Sequence, residues 1–128
     1  METFVAGIFA TKEQASEGAR GIAGLAAQGG CRLESLGVYA RNVLGEFALE
    51  ASIDTASDLA FADSGAGQEA LNELNERAPD GTHVLLLHLI ENDPAPTDAT
   101  LRSYGATTVL RRSTSELDSS GARRFTEY

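Results

Sequence analysis

A chain of 128 residues, 42% of them hydrophobic, is long enough to bury one self-sufficient core, and a single domain over 1–128 is expected. Its formal charge of −9 is concentrated centrally: residues 46–98 carry one basic and twelve acidic side chains, against a balanced first third and a net +2 over 99–128. So acidic a centre repels phosphate backbones and anionic headgroups, and no apolar run approaches the roughly 18 residues that cross a bilayer. The reading is therefore a cytoplasmic protein with no nucleic-acid and no membrane partner. The single cysteine, Cys31, has no partner within the chain, which points to a reducing compartment.

The first strand is expected over 3–10. It is apolar at consecutive positions from Phe4 to Phe9, the pattern of a strand covered on both faces. Thr11, with Gln14 three residues on, opens a helix in a capping-box pattern, and Gly29-Gly30 closes it. Ala15, Ala19, Ile22, Ala23 and Ala26 form its apolar stripe. Gly18, Gly21 and Gly24 lie along an adjoining row that suits close approach by another helix or a sheet. A strand over 33–41, a turn ending at Gly45 and a strand over 46–53 make a hairpin. Residues 54–67, small and acidic, read as an exposed connection; Asp54, Asp58 and Asp63 lack the alternate spacing and closing glutamate of a calcium loop. A helix over 68–77 presents Leu71 and Leu74 and ends at Pro79-Asp80-Gly81.

The second doubly apolar strand is expected over 82–90, with Leu85, Leu87 and Leu89 pointing one way and Val84, Leu86 and Ile90 the other. Thr97, preceded by Pro96, is the expected N-cap of a short helix through Tyr104, closed by Gly105 and followed by a strand over 107–112. Residues 114–128 read as a C-terminal helix or tail, capped at Thr114 or Ser115 and fraying through Ser119-Ser120-Gly121. Two strand–helix–strand units with a hairpin strand and a helix between them predict an α+β fold. Its expected form is a ferredoxin-like α/β sandwich with helices on a mixed, mostly antiparallel sheet of about five strands. The helices at 12–28 and 68–77 are expected over one sheet face. The other face must meet the remaining helices or a second subunit. The expected partner is thus a second copy, in a homo-oligomer or homodimer joined through that face or through the glycine-rich helix.

Chemistry is sparse in the pattern. His83 and His88 are five residues apart on one strand, so they emerge on opposite faces and cannot share a metal within the chain; no metal site is expected. His88 is the candidate base of a pocket with Glu91 and Tyr39, and Arg111 is the candidate for binding a carboxylate or phosphate ligand. Arg111 and Arg112 must point to opposite faces, each complementing acidic residues of the same chain or of a second copy. No phosphate-cradling glycine loop, no nucleophile elbow and no cofactor motif occurs. The reading is a non-catalytic, oligomerising binding or regulatory module rather than an enzyme. Its alternative is a small-molecule sensor or enzyme with a ligand pocket between sheet and helices.

Several segments together resemble a bacterial family of unknown function, often labelled predicted membrane proteins. They are Val5 to Phe9, Arg41-Asn42 before Gly45-Glu46, Pro79-Asp80-Gly81-Thr82 before a leucine-rich strand, and Tyr104-Gly105 before Val109-Leu110-Arg111. The resemblance covers most of residues 3–115. It implies a ferredoxin-like domain, and no enzyme activity or active-site residue comes with it. Many members of that family hold a long glycine-rich apolar insertion where this chain has the short acidic stretch 54–67, a departure that sets membrane association aside.

Overall fold

A computed structural model describes residues 2–41, 47–52, 65–79, 81–113 and 125–127. In chain order its elements are β1 (Glu2–Phe9), α1 (Lys12–Ala27), β2 (Arg32–Arg41), β3 (Phe47–Ser52), α2 (Gly65–Arg77), β4 (His83–Ile90), α3 (Ala95–Ser103), β5 (Thr108–Ser113) and β6 (Thr126–Glu127). The two doubly apolar strands, β1 and β4, lie side by side in the middle of one six-stranded sheet of order β3-β2-β4-β1-β5-β6. Their alternation sorts as expected. Leu85, Leu87 and Leu89 join Val5, Phe9 and Val109 in one buried cluster, while Val84 and Leu86 join Phe4, Ala6, Ile8 and Leu110 in the other.

Every pairing among the described strands is antiparallel, so the expected mixed sheet is corrected. The reason is interlocking. The strands of the β1–α1–β2 unit run parallel to each other but do not touch, because β4 lies between them running the opposite way. In the same manner β1 separates β4 from β5. The sheet also gains an edge strand at the C-terminus: Thr126 and Glu127 pair with Arg111 and Leu110. Residues 114–124, where a capped helix was expected to begin, lie outside the described residues, as do the expected turn ending at Gly45 and most of the acidic connection.

The helices divide between the faces differently from the expectation. The first cluster holds Ala15, Ala19 and Ile22 of α1 together with Leu101 of α3, so these two helices share a face. The second cluster holds Ala70 and Leu74 of α2, with Ala78 and Phe125, on the opposite face. Each of the two interlocked units thus lays its helix over the same side, which fills that side and leaves α2 to cover the other. Burial of a large aliphatic side chain contributes about 1.5–3 kcal/mol, so fully buried residues on both faces of β4 account for much of the stability.

Local signals explain the helix ends. Thr11 Oγ1 accepts a hydrogen bond from Gln14 N at 3.1 Å, the expected N-cap of α1. After Gln28, Gly29 takes φ +84° and turns the chain away. The expected cap of α3 is corrected: the helix begins at Ala95, and Asp93 Oδ1 accepts from Ala95 N at 3.0 Å, while Thr97 lies within the first turns and is fully buried. Gly105, at φ +104°, closes α3 as expected.

The glycine row of α1 is a close-contact surface, but largely for the chain itself. A Cβ at Gly18 would stand 3.0 Å from Phe9 Cζ, and one at Gly21 would run into the Tyr104 ring that follows α3. Only Gly24 of the three looks onto open space.

Candidate functional site

Strand alternation carries Glu91 and Arg111 to the same side of the sheet, the side of α1 and α3, and the start of α3 meets them there. Glu91 Oε1 forms an ion pair with Arg111 Nη1, and Glu91 Oε2 accepts from Thr97 Oγ1 at 2.8 Å. Arg111 Nη2 also donates to the Pro94 carbonyl at 3.0 Å. Both partners are withdrawn from water, with side-chain exposures of 4% for Glu91 and 11% for Arg111. The knot joins the end of β4, the loop into α3 and the middle of β5. A carboxylate of the chain therefore occupies the position in which an anionic ligand would meet Arg111.

Beside the knot is a cleft of about 540 Å³ between residues 29–32, which lead from α1 into β2, and residues 90–93, which lead from β4 into α3. Its lining includes the buried Cys31 and Glu91 and the exposed Arg32 and Asp93. Burial pushes the Cys31 thiol above its usual pKa, and the negative charge of Glu91 pushes it in the same direction. At neutral pH Cys31 is a protonated thiol, the opposite of an activated nucleophile. Arg32 is drawn outward, its Nε 3.1 Å from Glu34 Oε1.

His88 and Tyr39 belong to the other face. His88 is half-buried against Phe4, the ring centroids 5.0 Å apart and tilted by 43°. Tyr39 packs against the second cluster at the opposite end of β4, opposite Val84, and desolvation raises its pKa. The sequence reading grouped His88, Glu91, Tyr39 and Arg111; the structure brings together only Glu91 and Arg111 and sets His88 and Tyr39 apart from them and from each other. Among the described residues, no group of three or more His, Cys, Asp or Glu side chains is arranged to hold a metal ion.

A second charged cluster, absent from the sequence reading, lies under α2. Glu73 Oε1 accepts from Arg112 Nη1 at 2.9 Å, and Glu73 Oε2 accepts the backbone N–H of Phe125 at 2.7 Å. Arg77 Nη1 lies 3.2 Å from Glu73 Oε2 and also donates to the Phe125 carbonyl. The Arg112 guanidinium stands 6.0 Å from the centroid of the Phe125 ring, itself only 2% exposed. The signal for both knots was the Arg111-Arg112 dipeptide in a strand with two buried faces, since each guanidinium then needs a carboxylate. Which carboxylates answer, 20 and 39 residues away, is set by the topology.

Among the described residues, no helix is long and apolar enough to cross a membrane. No family model matches the chain, and searches of curated proteins and of solved structures return no match either.

Proposed function

We propose that this chain is a non-catalytic binding or regulatory module of the bacterial cytoplasm, ferredoxin-like in architecture, that works by associating with a second copy of itself. The interlocked order β2-β4-β1-β5, with α1 and α3 on one face, supports the architecture; β3, α2 and β6 are additions to the simple pattern. The observation that carries the association is where the sheet remains open. Both faces are packed, whereas β3 pairs only with β2 among the described residues, and β6 meets just Leu110 and Arg111 of β5. Edge strands present rows of backbone donors and acceptors that pair readily with another chain. The association is therefore assigned to edges rather than to an apolar face or the glycine row. Light scattering at micromolar concentration tests the proposal: twice the 13.5 kDa chain mass is expected, and a single-chain mass at every concentration overturns it.

The alternative, a small-molecule sensor, would use the cleft beside Cys31 and Glu91, an open groove with a largely polar lining. A ligand there at a hundredfold excess over its Kd would stabilise the fold by about 2.7 kcal/mol. A thermal-shift panel of metabolites with no response from any of them removes this reading.

A further inference from the structure

Three donors converge on one carboxylate of α2. Arg112 Nη1 reaches Glu73 Oε1 at 2.9 Å, while the Phe125 backbone N–H and Arg77 Nη1 reach Oε2 at 2.7 and 3.2 Å. Arg77 Nη1 also donates to the Phe125 carbonyl, so both main-chain groups of Phe125 are held by side chains of a single helix. The Phe125 ring completes the hold. It is 2% exposed, packs in the cluster that contains Leu74, Ala78 and Leu110, and lies 6.0 Å from the Arg112 guanidinium.

The anchored residue stands where the sheet ends. Thr126 and Glu127 pair with Arg111 and Leu110, so β6 is the outermost strand on that side and covers part of β5. Two such pairs are too few to hold a strand by themselves, since each neutral backbone hydrogen bond adds little net stability. Hydrogen bonds to a charged group, like those at Phe125, are roughly twice as strong as neutral ones. They rest on α2, which is fixed to the sheet by the fully buried Ala70 and Leu74. What keeps β6 on the edge is therefore Phe125, and what keeps Phe125 in place is Glu73.

We infer that residues 125–127 form a strap that closes the β5 edge of the sheet, and that Glu73 is its latch. Seated, the strap covers the edge at Leu110 and Arg111. Released, it uncovers that edge and the apolar pocket beside Leu74, Ala78 and Leu110 in one step, because ring, main-chain clamp and strand pairing belong to three consecutive residues. Such an opening is a small cooperative unit lying below global unfolding in free energy. Covering an edge is also how sheets avoid pairing with other chains. The inference stands apart from the proposed self-association and narrows it, since an edge closed by its own chain leaves β3 as the edge for association.

Amide hydrogen exchange of the unmodified chain tests the strap. Successive N–H groups of a strand point to opposite edges, so one of Leu110 and Arg111 points its N–H toward β6. That amide and the Phe125 amide are expected to exchange at one common rate, at least about tenfold faster than the amides of Val5 and Leu87, which pair in the middle of the sheet. Exchange of both at the Val5 and Leu87 rate means that the segment opens only with the whole fold, and overturns the strap; so do two unrelated rates. Glu73→Gln tests the latch, because it keeps the shape of the side chain and removes its charge. Both amides should then exchange roughly tenfold faster. Arg77→Ala, at an exposed position, removes the hold on the carbonyl and should accelerate the same two amides severalfold. An unchanged Phe125 rate in Glu73→Gln overturns the latch, as does an unchanged rate in Arg77→Ala where the first variant does not fold.

Discussion

Arg111 and Arg112 are neighbours in sequence and hold opposite sides of the sheet together, one through Glu91 and the other through Glu73. Such pairs add little net stability compared with a well-packed apolar substitute, but breaking one strands a charge in a dry place. Glu91→Ala should therefore cost about 3–5 kcal/mol in urea denaturation, and the double substitution Glu91→Leu with Arg111→Met should recover most of it. Equal losses in the single and double variants would contradict the assignment. The same carboxylate acts on Cys31. Burial first and Glu91 second raise the thiol pKa in the folded state, so the unfolded chain loses this proton at lower pH than the folded one. The contribution is fully present below about pH 8.5, the usual value for a free thiol, and is lost as pH rises through the folded pKa. Comparing the pH dependence of unfolding for the unmodified chain and Cys31→Ala above pH 8.5 checks this sign. The unmodified chain should show the additional decline. Strand alternation made the opposite orientations of Arg111 and Arg112 legible in the sequence, but not their partners, because pairing across 20 or 39 residues depends on how the strands interlock.

At the scale of elements, α1 shows where local chemistry is sufficient and where it is not. Its two ends follow from Thr11 and Gly29, residues whose preferences act within a few positions. The purpose of its glycines does not, since what each one faces is decided by β1 and by the turn after α3. Gly24→Ala should stabilise the protein by about 0.5–1 kcal/mol, because it adds helix propensity in open space. Gly18→Ala presses on the fully buried Phe9 ring and should not show this gain, whereas Gly21→Ala should be relieved by the 39%-exposed Tyr104 ring swinging into solvent. Thermal unfolding of the three variants, with tyrosine fluorescence followed for Gly21→Ala, separates these outcomes. A uniform rise across the series would mean that the row makes no contact. The start of α3 teaches a related lesson. Thr97 has the sequence of an N-cap, yet its hydroxyl is drawn to Glu91, and the N-cap falls on Pro94, with Asp93 Oδ1 accepting from Ala95 N just ahead of the helix. Competition between local and tertiary partners moved the boundary, and only the tertiary partner was invisible beforehand.

For the whole molecule, runs of consecutive apolar residues in β1 and β4 required a sheet covered on both sides, and that requirement is met within the chain. The division of helices was not legible, because hydrophobic stripes say that a helix packs but not on which face. With both faces packed, the proposed association falls to the strand edges rather than to an uncovered face. The apolar anchor of the C-terminal segment, Phe125, lies among serines and charges in sequence, so no periodic pattern announced it. Native mass spectrometry of ¹⁴N- and ¹⁵N-labelled chains, unfolded together and refolded at micromolar concentration, tests self-association most directly. Light, mixed and heavy species are expected at twice the 13.5 kDa chain mass in a statistical ratio of about 1:2:1, as for a two-fold pair. Single chains alone, at every concentration that keeps the protein folded, would contradict it.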